Sequence, residues 1–230
     1  MEKYGYTKLQ APLQSLIVTF PHKDLTNIIA DDHDTERYKQ LFGQTGLDNV
    51  MKSETKTIKI GEASVPIKCN YEYRQGVSRI FSETLLPEYS AKISSICDCI
   101  RASANRIVDG VSIHGGIILV YTQYIYGGIV PVALALEEMG FMRYAGKTNV
   151  PSLFKPGAIK NRIDSRTMKQ KDEVPFDEFK QAKYMILSGD KYFSQDNAED
   201  IKIATSEANR YGDEVRVILI SRAASEGLDF

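Results

Sequence analysis

Residues 215–230 read VRVILISRAASEGLDF, and the reading of this run decides the fold class. Residues 215–220 are mostly aliphatic and β-branched, as expected for a strand buried inside a parallel sheet. The chain then changes character. Ser221, Ala223, Ala224 and Ser225 are small, and Gly227 and Asp229 follow. Small side chains let the backbone approach a ligand closely, and the hydroxyls of Ser221 and Ser225 are donors suited to phosphate oxygens. Gly227 can take backbone angles barred to other residues. Asp229 offers an acceptor suited to a ribose hydroxyl. The same residues also describe a turn with a helix cap and no ligand, and the sequence leaves both readings open.

Upstream, the pattern alternates between strand and helix. Residues 184–187 (YMIL) read as a strand closed by Ser188-Gly189-Asp190, and Asn197 as the cap of a helix running to about Tyr211, with Gly212 as its stop. Residues 145–182 form a loop-rich insertion. Before it come a short strand over 141–144 and a helix over 132–139, with Pro131 in its first turn and Gly140 as its stop. Gly127 and Gly128 read as a tight turn, and 116–121 (GIILVY) as a strand buried on both faces. This β-α-β-loop-β-α-β order implies a parallel sheet with right-handed crossovers. Apolar residues at helical spacing predict an amphipathic helix over 91–108, capped by Ser90 and ended near Gly110. Residues 56–80 suggest a small hairpin, and 13–20 (LQSLIVTF) a strand stopped by Pro21. The expected division is a poorly defined segment over 1–76 and a lobe over 77–230.

Composition narrows the function. With 29 basic and 30 acidic residues among 230, the net charge of −1 creates no global field for nucleic acid. Local charge is less even: Arg143, Lys147, Lys155, Lys160, Arg162, Arg166, Lys169 and Lys171 face one acid, Asp164, over the same stretch. This run reads either as a phosphate-facing surface or as a solvated loop. Three cysteines argue against a disulfide framework, and no histidine or cysteine spacing suits zinc. No apolar stretch is long enough to span a bilayer, and the first residues, MEKYGYTKLQ, lack the apolar core of a secretory signal, so an intracellular location is expected. A phosphate loop of the form G-x-x-x-x-G-K-[ST], a G-x-S-x-G elbow and an H-E-x-x-H pair are all absent, as is a G-x-G-x-x-G after any strand.

Residues 215–230 resemble motif V of superfamily 2 helicases, in which a buried strand leads into a Ser or Thr, several small residues and Gly-x-Asp. Ser221-Arg222-Ala223 looks like the equivalent stretch of Swi/Snf-type translocases, and Gly227-Leu228-Asp229 like that of DEAD-type members, although Glu226 stands where the latter usually carry arginine. Residues 116–124 (GIILVYTQY) resemble motif IV, which opens the second lobe. Together with 78–93 (SRIFSETLLPEYSAKI), these stretches look closest to the helicase-like proteins of large nucleocytoplasmic DNA viruses, relatives of the poxvirus early-transcription and nucleoside-triphosphatase helicases.

The resemblance implies a partial RecA-like parallel sheet with helices on both faces, a truncated second helicase lobe. It implies that Gly227 and Asp229 face ATP, while Thr122, Gln123, Ser221, Arg222 and Ser225 contact nucleic acid. No catalytic residue is expected in this chain. The phosphate loop would lie on a first lobe, and the transition-state arginines in a motif beyond Phe230. ATP and Mg²⁺ are then cofactors of an intact parent, and the expected partners are nucleic acid (DNA rather than RNA), the first lobe and viral transcription machinery. Host cytoplasm or virion would be the location. The alternative is a non-catalytic nucleic-acid-binding or interaction module with a degenerate RecA-like fold.

Overall fold

The computed structural model describes residues 10–30, 35–146 and 150–225. Its centre is a four-stranded parallel sheet of β5 (Ile118–Thr122), β6 (Met142–Arg143), β7 (Lys183–Leu187) and β8 (Val217–Ser221), in the order β5-β8-β7-β6. All five residues of β8 are buried, because it is flanked by a strand on each side and covered on both faces. The expected α/β class with a parallel sheet flanked by helices is what the chain adopts.

The faces follow from the direction of chain travel. Helix α7 (Val130–Met139) carries the chain from β5 across to β6 and packs on one face, against Val217, Leu219, Tyr184 and Ile186. Helix α8 (Asn197–Ala204) carries it back from β7 to β8 and belongs to the opposite face, where Ile201, Ile203 and Ala204 meet Met185, Leu187, Ile218 and Ile220. Crossovers of one hand that run in opposite directions must lie on opposite faces, as they do here. Every residue of α7 is buried, including Glu137 and Glu138, which explains why its sequence is apolar almost all round. A second layer covers it: α6 (Ala91–Ala102), α4 (Gly43–Val50), and the hairpin of β1 (Met51–Ile60) and β2 (Ala63–Tyr73). Val18, Phe20, Leu47, Met51 and Tyr71 thus share one core with α7 and the sheet.

Several local expectations are corrected. Residues 13–20 are not a strand. Helix α1 (Gln10–Ser15) takes the first of them, and Thr19 and Phe20 donate their amides to Tyr89 and Leu41, carbonyls of two different elements with no ladder. The helix predicted over 91–108 ends at Ala102, although Ser90 caps it as expected, accepting from the Ile93 amide at 3.0 Å. Beyond it, β3 (Arg106–Val108) and β4 (Val111–Ile113) form a hairpin closed by Asp109 and Gly110, both at positive φ (51° and 77°). That pair suits a type I′ turn, which overrides the helical periodicity. Strand β5 is not buried on both faces: it lies at the sheet edge, with Leu119 and Tyr121 more than half exposed. The tight turn at Gly127-Gly128 is a π-helical turn (Ile125–Ile129) whose glycines pack against the side chains of Gln14 and Thr122. The cap of α8 is Asp196, not Asn197, and α8 stops at Ala204 rather than Tyr211.

A candidate ligand cleft at the carboxyl ends of the strands

Strands β5 and β8 are neighbours whose onward connections part company. From β5 the chain turns toward the α7 face, whereas from β8 it enters the short helix α9 (Arg222–Ser225), whose Ala224 packs on the α8 face. In open parallel sheets such a point leaves a crevice outside the carboxyl ends of the strands, where ligands bind. A cleft of about 830 Å³ occupies that place. Its walls come from three loops: Gln123 and Ile125 after β5, residues 189–192 after β7, and residues 221–223 at the end of β8.

The 189–192 loop is held from within and from outside. Asp190 accepts the Tyr192 amide on its carboxylate at 2.8 Å and donates its own amide to Ser188 Oγ at 3.2 Å. Asn197 donates to the Ser188 carbonyl at 2.9 Å, and Ser194 Oγ to the Ile186 carbonyl at 2.9 Å. From outside, Lys68 of β2 donates its amide to the Tyr192 carbonyl at 3.2 Å. The Lys68 ammonium sits 4.7 Å from the centre of the Tyr126 ring, which meets Phe193 edge-on at 5.7 Å. Gly189 fits because it lacks a side chain: a Cβ there would stand 2.8 Å from that of Ala223, binding the loops after β7 and β8 close together.

Of the residues singled out in the sequence, the structure brings Gln123, Ser221 and Arg222 to this cleft. Ser221 is only 3% exposed, and its Oγ is closed to solvent with no hydrogen-bond partner among the described residues. A buried hydroxyl left so costs about 1–3 kcal/mol. Contact with a ligand therefore needs the first residues after β8 to shift. Thr122 turns elsewhere: its Oγ1 accepts the Tyr124 amide at 3.4 Å and presses on Gly128, where a Cβ would lie 2.2 Å away. Ser225 ends α9, and Gly227 and Asp229 lie outside the described residues. Sequence reasoning missed Lys191 and Tyr192. The Ser-Gly-Asp turn directly after a buried strand was the signal for them, since loops at carboxyl ends line the crevice.

The basic stretch over 143–171 is not one phosphate-facing surface. Arg143 is buried, its guanidinium donating to the carbonyls of Phe193 and Pro151, and burial lowers its proton affinity. Lys155 pairs with Glu72 at 2.9 Å. Arg166 grips Asp213 with two hydrogen bonds (2.9 and 2.7 Å), and with Lys180 it holds that carboxyl down to about 2. Lys160, Arg162 and Lys171 do share a smaller cleft, at the amino ends of the strands. There Ile163 and Gln181 both donate to the carbonyl of Gly140, just before β6.

Among the described residues no group of three or more His, Cys, Asp or Glu side chains converges to hold a metal ion. No helix of the described residues is long and apolar enough to cross a membrane. Comparison of the chain with models of protein families, with curated proteins and with solved structures returned no match.

Proposed function

We propose that the cleft holds the backbone of a nucleic-acid strand and that the chain is the second lobe of a nucleic-acid-dependent ATPase of superfamily 2 type. The observation that carries this reading is the hydroxyl of Ser221, without a partner among the described residues and set beneath the cleft where β5 and β8 diverge. Buried polar groups are nearly always paired; among the described side chains Tyr71, Tyr124, Ser165 and Arg216 also bury an unpaired polar atom, but of these five Ser221 alone lines the cleft, where a ligand can complete it. A phosphate oxygen is suited to the task, and Lys191 and Arg222 border the same space. The resemblance of 215–230 to motif V supports the same assignment, with Gly227 and Asp229 turned to ATP and DNA as the expected strand. The chain's own residues would bind and orient the strand, while nucleotide chemistry would require a first lobe that supplies the phosphate cradle.

The test is fluorescence anisotropy with a labelled oligodeoxynucleotide, titrated at several salt concentrations. Binding that weakens with salt, and that falls by roughly ten- to 150-fold in Ser221→Ala, supports the reading; the loss corresponds to a hydrogen bond with a charged partner. Wild-type affinity in that variant would count against it.

A further inference from the structure

We infer that the cleft selects single-stranded nucleic acid through base stacking on Tyr192, an inference that rests on the nucleic-acid reading above. Tyr192 lines the cleft and is 40% exposed, so much of its side chain remains uncovered. Its main chain is clamped on both sides, the amide by Asp190 and the carbonyl by the amide of Lys68, and the next residue, Phe193, is buried beside Tyr126. The ring is therefore offered from a fixed backbone, and little conformational freedom is lost when a base settles on it. Within the loop the Asp190 carboxylate is engaged by the Tyr192 amide. Lys191 and Arg222 line the same cleft, so an aromatic face and cationic side chains share one space.

Aromatic platforms set beside a basic path are how proteins hold single strands, because every base has a face to stack and its phosphates track the cations. A duplex keeps its bases stacked on one another and has no internal base face to give. A cleft of about 830 Å³ has the dimensions of a small-molecule site, fit for a nucleotide unit and not for the width of a double helix.

The experiment compares three labelled probes with the full chain: a thymidine oligodeoxynucleotide of about twelve residues, an abasic strand of the same phosphate count, and a blunt duplex, the length matched to the footprint of single-strand sites. The wild type is expected to bind the base-bearing strand about tenfold tighter than the abasic one, the size of one base–aromatic stack, and to bind the duplex least. Tyr192→Ala should bring the two strands to equal affinity, and Tyr192→Phe, which keeps the face, should restore the ratio. The ratio is taken within each variant, so an altered folded fraction leaves it unchanged. Equal binding of base-bearing and abasic strands by the wild type overturns the stacking inference while leaving the phosphate-binding reading intact, as does a ratio preserved in Tyr192→Ala. Thymidine monophosphate that competes as well as the strand also overturns it, in favour of a mononucleotide site. Failure of every probe to bind overturns both readings.

Discussion

Thr122 and Ser221 stand side by side as register partners at the ends of β5 and β8, yet among the described residues only the Thr122 hydroxyl has a partner, the Tyr124 amide. The strands alternate, so both side chains fall on the α7 face, together with Ile118, Val120, Val217 and Leu219. One hydroxyl starts the turn that leads into α7; the other has its hydrogen-bonding capacity unused by any described residue.

Replacing each hydroxyl should give opposite results. Ser221→Ala removes an unsatisfied buried group, so its urea midpoint should stay level or rise by the equivalent of up to about 1 kcal/mol, while strand binding falls. Thr122→Ala removes a used acceptor and its packing on Gly128, so stability should drop by about 1 kcal/mol with a smaller change in binding. Paired denaturation and anisotropy curves check both.

Gly189 sets the distance between two walls of the cleft. Gly189→Ala places a methyl 2.8 Å from Ala223, and overpacking of this kind costs about 1–3 kcal/mol. Binding should weaken in Gly189→Ala and recover in Gly189→Ala combined with Ala223→Gly. A double variant no better than the single one would place the effect elsewhere.

Glu137 is the point at which the insertion is tied to the core. Its carboxylate accepts from the amides of Leu153 (2.7 Å) and Phe154 (2.9 Å) and from the Tyr184 hydroxyl (2.6 Å). Glu137→Gln turns one acceptor into a donor and leaves one of these groups facing it, so a loss of about 1–3 kcal/mol is expected in urea denaturation. Tyr184→Phe, which removes one bond of the three, should cost less.

Two aspartates give opposite pH dependences. Burial, aided by the like charge of Asp196, pushes Asp200 up to about 6. A carboxyl whose folded pKa lies above its unfolded value of about 4 binds its proton more tightly when folded. Its contribution is therefore full below about pH 4 and lost as pH rises through about 6. Asp213, held down to about 2 chiefly by hydrogen bonds from Arg166, contributes above about pH 4 and loses that contribution as pH falls toward 2. Asp200→Asn should flatten the stability profile between about pH 4 and 6, and Asp213→Asn should flatten the acid limb below about pH 4; both are read from thermal midpoints across pH.

The sheet was legible because its strands are short apolar runs bounded by Gly, Pro and Ser. Residues 184–187 and 215–220, and the Pro131 and Gly140 boundaries of α7, lie within a few residues of the observed elements. Where local pattern competed with tertiary contacts, the pattern misled. Ile107 extends the helical spacing of α6, yet the Asp109-Gly110 pair turns that stretch into a hairpin and leaves Ile107 75% exposed. Val18 and Phe20 alternate like a strand but find their bonds on separate elements. Ser221 was visible as a small residue after a buried strand, whereas its missing partner is a fact of packing. Tyr192 was hidden because the loop that presents it is set by Lys68, distant in sequence.

Hydrogen–deuterium exchange with and without a single-stranded oligodeoxynucleotide tests the central claim most directly. The account predicts slowed exchange in 189–192 and 221–223, the loops after β7 and β8, with residues 160–171 at the amino ends unchanged. Protection confined to 160–171, with the carboxyl-end loops exchanging as in the free chain, would contradict it.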